Sequence, residues 1–378
     1  MRQEVVISRN PDTKQAVDEL YKKLKYKEEP GLVIFLASTK YDFELATKEI
    51  KKYFPNSEVV GATTSGEIVK EGFINDSIVL TTLICDKTKV KATLIKDAVK
   101  FPVLEKNKIS TAAKACGISC GDPNSHKNGF AMTFINGNHN IEEMVLSMFY
   151  AVIQNDQFQL VGGSAGDDLK FEETLVSLNG EITSKGAVIV FVKTLNPFKI
   201  IKENIYHPIG ESIVLTDVDI ENRKILKIDN KNPMDVLAQK IKIPKQRLGD
   251  HLLEYPLGRV IGDERYICSF KNFDEQGNLY SYINVMPNTK LEILKSSNVM
   301  ETVEDTCRNI QEEMSNVKFV FFINCILRTL DVQNMNQCSL IAKTYEKYFP
   351  SFCGFSSYGE QYNKLCLNQT LVMIVMGE

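Results

Sequence analysis

One phrase, written near both ends of the chain, constrains the fold more than any other feature. Lys52-Tyr53-Phe54-Pro55 leads to Gly61-Ala62-Thr63-Thr64-Ser65-Gly66-Glu67, and Lys347-Tyr348-Phe349-Pro350 leads to Gly354-Phe355-Ser356-Ser357-Tyr358-Gly359-Glu360. A looser copy, one residue shorter, lies between them as Gly162-Gly163-Ser164-Ala165-Gly166-Asp167. The spacing is too long and uneven for a solenoid, so the repetition points to duplicated βαβ-like units inside larger domains.

The surroundings of the three copies agree. Each follows an apolar, β-rich run: residues 31–37 (GLVIFLA), 130–135 (FAMTFI) and 317–327 (VKFVFFINCIL). Such near-continuous runs read as strands buried on both faces. Helical apolar spacing comes next, over 43–53, 141–154 and 339–348, and Asn140 with Glu143 three residues on predicts the cap of the middle helix. A second strand (58–60, 158–161, 352–353) then delivers the phrase just beyond its carboxyl end, where open α/β sheets place ligands.

Elsewhere the pattern predicts a helix over 12–24 and strands over 77–85, 90–95, 174–178, 186–192 and 198–204, with an Asn179-Gly180 hairpin turn. A charged, turn-rich connection over 218–232 precedes a helix at 234–241. Strands follow at 259–270 and 279–286, joined by a turn at 274–278, and a last strand at 369–376. The expected fold class is α/β (mixed α/β, α+β): two domains with mixed β-sheets flanked by helices. The expected limits are a helical extension over 1–28, a first domain over 29–225 and a second over 226–378.

Charge excludes some functions. With 45 Lys and Arg against 48 Asp and Glu, the net charge of −3 gives no electrostatic footprint for nucleic acid. No apolar stretch reaches bilayer length, so membrane insertion is not expected, and the amino end lacks a leader-like apolar core. Nine cysteines without framework spacing suit reduced thiols in a cytoplasmic protein.

The chemistry of the phrase suggests a receptor site. Glycines allow close backbone approach, hydroxyls and free N–H groups can hold a carboxylate, and Glu67, Asp167 or Glu360 could hold an ammonium group. The competing reading is a tight turn whose hydroxyls cap the backbone. Candidate ligand contacts in the first two copies are Thr63, Thr64, Ser65, Glu67, Ser164 and Asp167. The carboxyl-terminal copy is preferred, with Gly354, Phe355, Ser356, Ser357, Tyr358, Gly359, Glu360 and Asn363. Arg328, expected at the carboxyl end of the 317–327 strand, and Arg259 could clamp a ligand carboxylate; a surface salt bridge is the alternative for each. Cys325 reads as a buried thiol beside that site rather than a nucleophile. Cys116, Cys120 and His126 make only a partial metal set, so no metal is expected.

The segments VVGATTSGEI (59–68), LVGGSAGDDLKF (160–171), NGEITSKGAVIVFV (179–192), HPIGE (207–211), FINCILR (322–328) and GFSSYGEQYNKLCLNQTLV (354–372) occur in one order over most of the chain. In these the chain resembles the FIST family of sensory proteins, in both its amino- and carboxyl-terminal domains. The resemblance implies a non-enzymatic cytoplasmic input module that binds a small polar metabolite such as an amino acid. Its output would go to a separate partner: a histidine kinase, a chemoreceptor or a cyclic-dinucleotide enzyme. Some relatives resemble haem-based nitric oxide sensors, which makes haem binding an alternative. Against it, Cys366 stands where relatives commonly carry histidine, and His126, His139, His207 and His251 sit in no diagnostic motif. A cysteine-dependent enzyme is the remaining alternative.

Overall fold

The computed structural model describes residues 1–100, 102–262, 264–314 and 316–378. The chain is organised as three copies of one unit. The first comprises β1 (Arg2–Ser8), α1 (Thr13–Lys23), β2 (Leu32–Ala37), α2 (Phe43–Tyr53), β3 (Glu58–Thr63), a hairpin of β4 (Glu67–Val69) and β5 (Gly72–Ile74), and a return strand β6 (Ile78–Ile84). The second repeats this order with β7 (Thr88–Ile95), α3 (Lys106–Cys116), β8 (Gly129–Ile135), α4 (Glu142–Ile153), β9 (Gln159–Ser164), a hairpin of β10 (Val176–Leu178) and β11 (Glu181–Thr183), and β12 (Ala187–Thr194).

The third copy opens with β13 (Phe198–Glu203) and is interrupted by β14 (Tyr206–Asp219), β15 (Lys224–Ile228), α5 (Pro233–Ile241), α6 (Leu248–His251), β16 (Leu257–Ile261), β17 (Glu264–Cys268), β18 (Phe270–Phe273), β19 (Leu279–Ser281) and β20 (Thr289–Ser296). It resumes with α7 (Val299–Glu313), β21 (Val317–Cys325), α8 (Ile326–Asn334), α9 (Cys338–Tyr348), β22 (Cys353–Ser357), the hairpin β23 (Glu360–Tyr362) and β24 (Leu365–Leu367), and β25 (Leu371–Gly377).

Each copy builds a six-stranded mixed sheet around one parallel pair, but the two outermost strands come from another copy. The orders are β1-β6-β2-β3-β10-β11, β7-β12-β8-β9-β23-β24 and β13-β25-β21-β22-β4-β5. The first copy thus gives its hairpin to the third, the third to the second, and the second to the first. This closed exchange covers the edge of β3, β9 and β22 with a foreign strand and locks the copies together by main-chain hydrogen bonds. The interrupting segment makes a separate seven-stranded antiparallel sheet, β17-β16-β20-β14-β15-β19-β18.

The continuous apolar runs are explained by this packing. Ile34, Phe134 and Phe321 belong to one central core shared by the three sheets. Alternate residues face helices instead: Phe35 packs with α1 and α2, Ala131 with α3 and α4, and Phe322 with α7 and α9. A strand covered on both sides has no polar face to show. Asp12 and Asp42 cap α1 and α2, accepting from Gln15 N and Leu45 N.

Four local expectations are corrected. Residues 2–8, expected only to precede a helix, form β1 and pair with β6. Asn140 does not cap: it adopts a left-handed conformation (φ 51°) and α4 starts two residues later. The 317–327 run is a strand only to Cys325, after which α8 begins. The 259–270 run breaks at Gly262, whose φ of 61° turns β16 back into β17.

Candidate functional site

The three phrases are the crossing points of the hairpin exchange. Thr63 N donates to Leu175 O at 3.0 Å, Ser164 N to Gly359 O at 2.8 Å and Ser356 N to Gly66 O at 2.8 Å. In return Gly166 N, Tyr358 N and Ser65 N donate to the carbonyls of Thr63, Ser164 and Ser356. The strand register agrees, pairing Ala62 with Val176, Gly163 with Glu360 and Phe355 with Glu67. Glu67 and Glu360 are therefore equivalent, and their counterpart in the second copy is Val176. Asp167 belongs instead to an insertion, residues 167–174, which corrects its expected equivalence with the two glutamates.

Much of the phrase is occupied by the protein itself. Glu67 is buried and accepts from the Thr64 and Ser77 hydroxyls. Glu360 accepts from Ser357 Oγ at 2.7 Å and from Thr370 Oγ1 at 2.8 Å. Burial pushes each carboxyl up to about 8 despite these hydroxyls. Asp167 receives the N–H groups of Phe171, Glu172 and Glu173 and the Tyr358 hydroxyl. Burial works against its ionisation, but these donors outweigh it and hold Asp167 below the usual range.

Arg328 is not a ligand clamp. It lies in the first turn of α8 rather than at a strand end, and is wholly buried in an ion pair with Glu203, also wholly buried. Its Nη1 donates to Asn324 Oδ1 at 2.5 Å. Arg259 lies on β16 in the seven-stranded sheet, opposite Tyr266, and is not on the cleft described below. Gly354 and Phe355 are core positions, Ser356 bonds the Thr329 hydroxyl at 2.8 Å, and Asn363, in the turn between β23 and β24, exchanges bonds with Leu160 of β9.

A cleft of about 650 Å³ opens at the carboxyl ends of β8 and β21. The second copy supplies Gly137, Asn138, Asn140, Glu142 and Glu143; the third supplies Cys325, Ile326, Leu327, Leu330, Tyr358, Gly359, Glu360, Gln361 and Asn368. Leu169 and Phe171 reach in from the 167–174 insertion, and Arg223, Lys271 and Tyr282 from the seven-stranded sheet. Of the expected contacts, Cys325, Tyr358, Gly359 and Glu360 meet here. Ser164 stands behind the wall, its hydroxyl donating to Glu142 Oε1 at 2.9 Å. Thr63 and Asp167 line a smaller groove of about 230 Å³ instead. Thr64, Ser65 and Glu67 line neither.

The walls carry both signs of charge. Glu143 accepts from Asn284 Nδ2 at 3.1 Å and lies 3.6 Å from Arg223, so it ties the second copy to the seven-stranded sheet. Burial pushes Glu142 up to about 7. Asn368 is 4% exposed, yet its Oδ1 has no hydrogen-bond partner among the described residues. An acceptor left free beside a cleft is open to a donor from water or from a bound molecule. The sequence reading missed Glu142, Arg223, Ile326 and Asn368, although Ile326 lies within the quoted 322–328 segment and Asn368 within 354–372.

Haem does not fit these walls. Among the described residues no histidine lines the cleft. Burial raises both thiols there, Cys325 and Cys366, and Glu360 and Glu143 respectively add to the effect, disfavouring thiolate.

A polar, partly apolar cleft at the strand ends of an α/β protein has the character and position that small-molecule sites commonly have. The chain belongs to the FIST family: residues 31–231 match the FIST N domain and residues 233–363 the FIST C domain. FIST domains are associated with sensing in signal transduction. No curated protein matches the chain. One solved structure, described as "Structure of PurLQS from Thermotoga maritima", is 8% identical over 99% of this chain and 72% of that one, but its TM-score of 0.22 supports no argument. No helix among the described residues is long and apolar enough to cross a membrane.

Proposed function

We propose that the chain is the ligand-binding module of a signalling pathway, with the 650 Å³ cleft as its receptor for a small polar metabolite such as an amino acid. The unmet Asn368 acceptor carries this reading, because a ligand N–H or O–H would satisfy it. Arg223 and Lys271 suit a carboxylate, Glu142 suits an ammonium group, and Ile326, Leu327 and Leu330 suit an apolar side chain. Binding is favoured over turnover because the Cys325 thiol is raised well above its ordinary range by burial.

The cleft joins the second copy, the third copy and the inserted sheet, so a ligand that binds one arrangement better would shift how these parts sit. A separate signalling protein would read that shift. All nine cysteines are free thiols, which suits a reducing cytoplasmic compartment. The test is a thermal-shift screen with the twenty L-amino acids, repeated on Leu330→Trp, which fills the cleft. Stabilisation of the parent that Leu330→Trp abolishes supports the reading. No stabilisation by any of them, or an equal shift in both proteins, contradicts it.

A further inference from the structure

The threefold repetition allows one strand end to be compared with two others. In each copy a residue at the carboxyl end of the first strand of the parallel pair, just past β2 and β8 and last in β21, donates to the chain entering the return strand: Ser38 N to Ser77 O at 3.0 Å, Asn136 N to Gly186 O at 2.9 Å and Cys325 N to Thr370 O at 3.0 Å. Those bonds make Ser38, Asn136 and Cys325 equivalent. The next residues, Thr39, Gly137 and Ile326, are then equivalent too.

The N–H groups of these three have different fates. Thr39 N donates to Asp168 Oδ2 at 2.8 Å, and the Ser38 and Thr39 hydroxyls donate to the same oxygen. Gly137 N donates to Thr174 Oγ1 at 2.9 Å. Both acceptors belong to the 167–174 insertion, which fills two of the three strand ends with the protein's own oxygens. At the third, no acceptor among the described residues receives the Ile326 N–H. Ile326 is the first residue of the nine-residue helix α8, whose N-cap Cys325 supplies no side-chain cap, and it faces the cleft. The Asn368 amide, buried and without a partner for Oδ1 among the described residues, lines the same space.

We propose that the Ile326 N–H at the start of α8 anchors the carboxylate of the cleft's ligand, with Asn368 Oδ1 accepting from a donor on the same molecule. The inference rests on the receptor reading above and adds where and by what group the ligand is held. The Asp168 carboxylate at Thr39 shows the same strand end holding that chemical group. The positive end of the α8 dipole adds to the attraction. Glu360, pushed up to about 8, is largely protonated at neutral pH and does not repel an anion there.

The test uses the intact chain, with the twenty L-amino acids and their carboxamides as calorimetric probes. Ile326→Pro removes the N–H, and trims the side chain with it, at a first-turn position that accepts proline; the acid–carboxamide comparison separates the two effects, and Cys325 already holds the extended φ −58°, ψ 135° that a following proline requires. Ile326→Val keeps the N–H. A charge-assisted hydrogen bond corresponds to an affinity change of about tenfold or more. The expected result is that carboxamides bind at least that much more weakly than the acids, and that Ile326→Pro, but not Ile326→Val, shows a similar loss. Acids and carboxamides binding alike, or a folded Ile326→Pro that binds like the parent, overturns the anchor and leaves the cleft reading standing. The acid–amide comparison decides the matter on the parent protein alone should the proline variant fail to fold. Absence of binding by every probe overturns both.

Discussion

Asp168 lays its carboxylate against Thr39, accepting from the backbone N–H at 2.8 Å and from the hydroxyl at 2.7 Å. This bond pins an insertion whose Asp168, Leu169 and Phe171 all adopt left-handed backbone conformations. Leu169 and Phe171 line the cleft, and Phe171 stacks on Tyr358 at 4.8 Å. Asp168→Ala should lower stability by about 1–3 kcal/mol, through three unmet donors and a left-handed position that alanine tolerates poorly. Urea denaturation measures that loss. Asp168→Asn, which keeps an acceptor and tolerates the conformation, should lose less.

The Arg328–Glu203 pair gives a prediction of a different kind. Arg328→Met leaves a buried carboxylate without its cation and should cost about 3–5 kcal/mol. Adding Glu203→Met removes the stranded charge and should recover most of that loss. Because Arg328 is not on the cleft, the folded double variant should keep the parent's response to amino acids in the thermal-shift screen. A double variant that is stable but unresponsive would restore a ligand role to Arg328.

Glu67 and Glu360 set a pH dependence. Both carboxyls rise from the ordinary 4.5 to about 8 in the folded chain. Between those values the folded state holds more protons than the unfolded one, so stability should fall as pH rises from about 5 to 8. Urea midpoints across that range check the direction. Glu360→Gln should flatten part of the fall, since a neutral amide avoids ionising a buried carboxyl.

How much of this was legible beforehand follows from which interactions are local. The parallel strand pairs were visible because covering both faces of β2, β8 and β21 leaves continuous apolar runs. The repeated phrase marked the corners of the exchange but not the exchange itself, since which sheet receives β4, β10 or β23 depends on pairings between distant residues. Arg328 was misplaced by a boundary error: with the strand ending at Cys325, the guanidinium points from a helix into the core. Asp167 was misread because the 167–174 insertion puts an acid where the phrase leads one to expect it. Ile326 lies in the quoted 322–328 segment, but its residue type gave no signal, because the part proposed for it rests on a backbone N–H that every residue but proline possesses.

The most direct check of the receptor claim is amide hydrogen exchange, with and without the L-amino acid that raises the melting temperature most. The account predicts slowed exchange in residues 137–143, 326–330 and 358–368, which wall the cleft, with the first copy's β1 and α1 unchanged. Slowing confined to the first copy, or none in the three cleft segments, would contradict it.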